Sequence, residues 1–127
     1  MPLVRIDILQ RRSSEELAAI GQAVHDALVE AIGIPVLDRF HILTEHPPGG
    51  LVYDPLYLDI PRTDGVVFIQ VTLSVGRTLE QKRALYSALS RHLEARAGVR
   101  PQDVFVNLVE VLKENWSFGN GQAQYAP

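Results

Sequence analysis

At a constant shift of 65 positions the chain matches itself: Arg12 falls on Arg77, Glu15 on Glu80, Ala23 on Ala88 and Leu28 on Leu93. The register runs on without a gap through Gly33 on Gly98, Asp38 on Asp103, Phe40 on Phe105, Leu43 on Leu108 and Glu45 on Glu110. Ile6 and Ile8 land on Val71 and Leu73 at the same shift. A register kept by cap, core and stop positions together marks an internal duplication. It confines the chain to folds that use one supersecondary unit twice.

That unit can be read from either copy. Leu3 to Leu9 alternates, with Val4, Ile6 and Ile8 on one side and Arg5 and Asp7 on the other, which predicts a half-buried strand. Arg11 and Arg12 make the turn. Ser13 and Glu16 have the spacing of a capping box, in which hydroxyl and carboxylate each satisfy an orphan amide. Leu17, Ile20, Val24, Leu28 and Ala31 recur at helical spacing until Gly33 and Pro35 end the helix, and a strand follows over 39–45. The second copy predicts a strand over 66–73, a turn over 74–77 and a Thr78–Gln81 capping box. A helix to about residue 96, a Gly98 stop and a strand over 104–112 complete it.

The expected fold is therefore a single α+β domain over 1–127, with β-α-β units at about 2–45 and 67–112. A four-stranded mixed sheet should carry both helices on one face, with right-handed crossovers. Its other face holds Arg5, Asp7, Gln70, Thr72 and Asn107 among apolar neighbours and needs cover, which oligomerisation supplies. Residues 46–65 are rich in Pro and Gly and form a long connection with one short extended segment; loops of this length in a small domain tend to be functional. Tyr53 and Tyr57 within it are candidate lid residues, or simply surface packing. Residues 113–127 form an aromatic tail containing Trp116, Phe118 and Tyr125.

Composition excludes several classes. A formal charge of -3 offers no reason to expect nucleic acid or an anionic membrane as a partner. Zero cysteines remove disulfides, thiolate metal sites and a cysteine nucleophile. No apolar run approaches the roughly 20 residues of a membrane span, and the start lacks a secretory signal pattern, so the cytoplasm is the expected compartment. His25, His41, His46 and His92 have no metal-ligand spacing, and Gly119-Asn120-Gly121 lacks the strand-to-helix setting of a phosphate loop. No cofactor or metal is expected.

The start of the chain carries the one unusual chemical possibility. Pro2 follows Met1 directly and leads straight into the first strand. With Met1 removed it presents a secondary amine, whereas inside a chain the same nitrogen is an amide without a proton. An amino-terminal proline on a strand, followed by two β-α-β copies with arginine at the strand-to-helix turn, resembles the tautomerase superfamily. Pro2 through Leu9-Gln10-Arg11-Arg12-Ser13 is similar to the opening of the 4-oxalocrotonate tautomerases. Gly33-Ile34-Pro35-Val36-Leu37-Asp38-Arg39, Arg77 with Glu80-Gln81-Lys82, and Asn115-Trp116-Ser117-Phe118-Gly119-Asn120-Gly121 are most similar to the malonate semialdehyde decarboxylases. The likeness runs from Pro2 to Tyr125.

The resemblance implies a homotrimer acting on a small carboxylate-bearing oxo or enol acid. Pro2 would be the acid, base or nucleophile, Asp38 would orient and tune it, and Arg77 would hold the substrate carboxylate. Trp116, Phe118 and Tyr125 would wall the pocket, and Arg12 would supply a substrate-binding guanidinium to a neighbouring subunit. One position departs: the decarboxylases carry Arg-Pro-Arg where this chain has Val75-Gly76-Arg77, so the first arginine is missing. Both tautomerase and decarboxylase or hydratase chemistry fit. On the residues alone, Asp38 and its repeat partner Asp103 also suit turn caps, and Arg77 and Arg12 suit structural use. A non-catalytic ligand-binding or signalling trimer is the alternative, a use the wider superfamily also has, and an attached Met1 favours it.

Overall fold

The computed structural model describes residues 2–127; the question of Met1 lies outside the described residues. Both helices begin on the two-way cap that their sequences predict. In α1 (Ser14–Ile32) the Glu16 amide donates to Ser13 Oγ at 3.2 Å, and the Ser13 amide donates to the Glu16 carboxylate at 3.0 Å. In α2 (Leu79–Ala97) the Gln81 amide donates to Thr78 Oγ1 at 3.2 Å and the Thr78 amide to Gln81 Oε1 at 2.9 Å. Both helices end on glycine in the left-handed region, Gly33 at φ 66° and Gly98 at φ 65°, where a Cβ would be strained.

Four strands join them: β1 (Leu3–Leu9), β2 (His41–His46), β3 (Val67–Ser74) and β4 (Val104–Val111), ordered β2-β1-β3-β4 across one sheet. β1 and β2 run parallel, as do β3 and β4, and the two units meet through the antiparallel pair β1–β3. Strand parity sends Val4, Ile6 and Ile8 of β1 and Val67, Ile69, Val71 and Leu73 of β3 to one face. There they pack under Ile20, Val24 and Leu28 of α1 and Leu85, Leu89 and Leu93 of α2, all buried. Each such side chain contributes roughly 1.5–3 kcal/mol by leaving water, so this shared layer is what holds the two units as one body. No helix among the described residues is long and apolar enough to cross a membrane.

Among the described residues, the opposite face is covered by neither α1 nor α2. Asp7 and His46 pair across β1 and β2 at 2.6 Å, and Gln70 donates to Asn107 at 3.0 Å. Phe68 and Phe105 lie with ring centroids 4.9 Å apart, and Phe105 is 49% exposed.

Differences from the sequence reading are small and local. β2 starts at His41 rather than 39, because residues 36–40 are spent on a turn in which the Asp38 amide donates to the Pro35 carbonyl at 2.9 Å. β3 is displaced by one residue, to Val67–Ser74. Beyond His46, which ends β2, the 46–65 connection contains no strand. Its ordered piece is a one-turn 3-10 segment, Tyr57–Asp59, with Leu58 and Asp59 at positive φ. Arg62 holds that segment by donating to the carbonyls of Asp54, Tyr57 and Ile60 at 3.1, 3.1 and 3.2 Å.

Candidate active site

The antiparallel centre of the sheet puts the start of β1 beside the end of β3. Leu3 pairs with Thr72 of β3, and Val4 pairs with His41 of β2 while its amide donates to the Phe40 carbonyl at 3.0 Å. Followed back to Pro2, these registers lead to Arg39 and Phe40 on one side and Leu73 and Ser74 on the other. Pro2 is buried there.

Asp38 reaches the same end from the turn after α1. It is 6% exposed, a buried carboxylate one residue ahead of Arg39. The turn is pinned from behind by His25, a buried residue of α1 whose Nε2 lies 2.8 Å from the Val36 carbonyl. A carbonyl only accepts, so Nε2 carries the proton in that bond. The histidine spacing in sequence excludes a metal site but says nothing of this tie, which exists only once α1 is folded over the Asp38 turn.

Arg77 arrives from the second unit. Its Nη1 donates to the Ser74 carbonyl at 2.9 Å, which spends one of five guanidinium N–H donors and fixes the group at the end of β3. Ser74 has a second tie, because its Oγ accepts from the Trp116 indole at 3.1 Å. Buried Ser74 thus joins the arginine to the aromatic tail. It was not singled out from sequence, although the repeat holds the signal: Ser74 falls on Leu9, a polar residue where the first unit has an apolar one.

The tail folds back as one aromatic block. Trp116 stacks on Phe118 at 5.5 Å and 11°, and Phe118 meets Tyr125 edge-on at 4.9 Å. Phe40 adds a fourth ring 6.3 Å from Phe118. Gln124 closes the loop, accepting from the Phe118 amide at 2.9 Å and donating to the Gly119 carbonyl at 2.8 Å. The Tyr125 phenol is held above its ordinary pKa, first by burial and then by the negative charge of Asp38, against the opposing charge of Arg77. Tyr125, Asp38 and Arg77 therefore share one electrostatic field, and the phenol keeps its proton as a donor. Exposed Val36, Leu37, Val75 and Leu112 border this end of the sheet, with Leu37 95% exposed.

Six of the seven sequence-predicted residues, Pro2, Asp38, Arg77, Trp116, Phe118 and Tyr125, thus belong to one end of the sheet. Arg12 does not. It sits past the far end of β1, where its Nη2 donates to the Gly65 carbonyl at 2.8 Å. Tyr53 and Tyr57 are also remote from Pro2. They border a hollow of about 280 Å³ over Phe68 and Phe105, and the Tyr53 hydroxyl donates to Asp64 at 2.7 Å.

A family profile described as "Tautomerase enzyme" matches residues 38–119, and a second with the same description matches residues 2–59. Among curated proteins, probable tautomerase YusQ of Bacillus subtilis (strain 168) is 39% identical over 124 residues, covering 98% of each chain. A solved malonate semialdehyde decarboxylase, FG41, inhibited by 3-bromopropiolate, is 45% identical with a TM-score of 0.91. That match covers 97% of this chain and 93% of the other. A fused 4-OT solved as a symmetric trimer is 29% identical with a TM-score of 0.79, covering 98% of each chain.

Proposed function

This chain belongs to the tautomerase family, and from that premise we propose a cofactor-independent enzyme whose Pro2 amine, freed by removal of Met1, works on a small oxo or enol carboxylic acid. The observation that carries the reading is the convergence of a buried carboxylate, Asp38, and the Ser74-anchored Arg77 on the strand end where Pro2 is buried. An α-amine titrates near pH 8 in water, close to working pH, so modest surroundings decide which form it takes. Burial favours the neutral base, and a neighbouring carboxylate favours the cation.

In enol–keto transfer the neutral amine removes the enol proton and returns it to carbon, while Arg77 holds the substrate carboxylate. In decarboxylation of a 3-oxo acid the cationic amine hydrogen-bonds the carbonyl oxygen. The electrons of the breaking C–C bond then flow to that oxygen as carbon dioxide leaves. Val75 stands where a second arginine would strengthen the grip, which favours enol–keto transfer as the leading activity. The likeness to a trimeric fused 4-OT and the exposed apolar border of Val36, Leu37, Val75 and Leu112 support a homotrimer in which neighbours complete the pocket.

The test begins with intact-mass measurement of native protein, where loss of Met1 is expected. Turnover of phenylenolpyruvate is then compared in wild type and Pro2→Ala. A positioned general base contributes roughly 10²–10⁴-fold, of which an alanine amine retains a part, so a fall of at least about tenfold is expected. Retained Met1, or equal rates for the two proteins, overturns the role of Pro2 and leaves the non-catalytic ligand-binding or signalling trimer.

A further inference from the structure

The turn that carries Asp38 has little apolar anchoring of its own. Val36 and Leu37 ahead of it are 70% and 95% exposed within one chain, so neither fixes where the carboxylate stands. What holds the turn is a row of polar ties to one face of α1. His25 donates from Nε2 to the Val36 carbonyl at 2.8 Å, and Arg39 Nη1 donates to Gln22 Oε1 at 3.0 Å. Positions 22 and 25 are neighbours on the helix surface, and they grip the chain on either side of Asp38. Behind them Gln22 Nε2 donates to Asp26 at 2.9 Å, and Asp26 pairs with Arg96 of α2 at 3.0 Å. The Arg39 guanidinium lies close over the helix at Gly21, where a Cβ would stand 3.0 Å from Nη2.

The duplication shows that the fold does not require this arrangement. At the shift of 65, Gln22, His25 and Arg39 fall on Ser87, Ser90 and Val104. Val104 has no side-chain donor, and the corresponding place on α2 is a surface hollow of about 200 Å³ bordered by Tyr86, Ser90, Pro101, Val104 and Val106. Helix α2 and strand β4 form all the same. Asp103, the repeat partner of Asp38, is held instead by Thr63, whose amide and hydroxyl donate to it at 2.8 and 2.6 Å. The polar row therefore belongs to the one unit whose aspartate lies at the Pro2 end.

We propose that Gln22, His25 and Arg39 are positioning residues that set how far the Asp38 carboxylate stands from the Pro2 amine, and through it the protonation of that amine. The link to the amine rests on the reading of Pro2 as the acid–base group; the placement of Asp38 rests on the contacts alone. The other charged and titratable groups around the pair are Arg39 in the turn, His25 on α1, His41 on β2, Arg77 after β3 and Tyr125 in the tail. Asp38 is the one carboxylate in that set. Moving it away removes what favours the cation and lets the amine lose its proton at lower pH.

The experiment measures phenylenolpyruvate turnover against pH in Gln22→Leu, Gln22→Glu and His25→Leu, beside wild type and Pro2→Ala. The Asp38 carboxyl is followed in the same proteins by ¹³C NMR. Gln22→Leu and His25→Leu should lower kcat about tenfold or more with KM changed less than about twofold, because Arg77 is anchored from the other unit. The acid limb of kcat/KM should move to lower pH and the Asp38 signal should shift, and Gln22→Glu, which keeps the acceptor, should restore both. A role in folding alone would lower Tm and leave the acid limb and the Asp38 signal in place; that result overturns the proposal. Gln22 is half-buried, so if His25→Leu fails to fold, Gln22→Leu decides. If Pro2→Ala matches wild type, the reading of Pro2 fails and the Asp38 signal decides alone. A shift in Gln22→Leu then upholds the positioning of Asp38 from α1, and an unmoved signal overturns it.

Discussion

His41 opens β2 on the helix-facing side of the sheet, where burial, then the charge of Arg39, then His25 hold its pKa down to about 4. In the unfolded chain it takes up a proton near pH 6.5. Between those values the unfolded state binds more protons, so stability falls as pH falls from about 6.5 toward about 4 and is unaffected above that window. Glu30, held down to about 2 by Arg91 and His92, weakens the fold only below about pH 4.5, which separates the two effects. A urea series at pH 7 and pH 5 should show a smaller loss of midpoint in His41→Asn than in wild type. Equal losses in the two proteins count against His41. At this scale the sequence marked residues with intrinsic chemistry, such as Pro2, Asp38 and Arg77. Ser74, Phe40 and His25 escaped because their parts depend on partners brought in by strand register or by α1 folding over the turn.

The helices show what a local pattern can specify. Each cap is a reciprocal exchange within four residues, so Ser13–Glu16 and Thr78–Gln81 were legible from spacing alone, and the Gly33 and Gly98 stops likewise. The Tyr57–Asp59 turn was not, because its positive-φ residues are stabilised through Arg62 rather than by a glycine that a reader would notice. Capping predicts a measurable cost. Ser13→Ala should lose about 1 kcal/mol, which for a domain of this size is roughly a 3–4 °C fall in Tm, and Ser13→Asp should restore most of it. An unchanged Tm in the alanine variant would mean that water replaces the cap without loss.

For the whole molecule the decisive asymmetry is between the two faces of the sheet. The helices cover one; the other leaves Phe105, Val109 and Ile42 exposed beside the Phe68–Phe105 contact. The need for cover was apparent from the mixed polarity of that face in sequence, but not which side chains would crowd its middle, since the Phe68–Phe105 pairing comes from β3–β4 register. In the proposed trimer this face is an interface, so Phe105→Glu should lower the mass seen by size-exclusion chromatography with light scattering from three chains toward one. A variant that stays at the wild-type mass argues against burial of this face between subunits.

The antiparallel pairing of β1 with β3 also sets a mechanical tolerance. A slip of one residue along that seam would displace Pro2 by about 3.3 Å relative to Ser74 and turn Val4, Ile6 and Ile8 out of the core. Small sliding errors are therefore converted into wholesale loss of packing. The core works as a detent: the same apolar layer that keeps the protein folded fixes how far Pro2 stands from Arg77's anchor on Ser74.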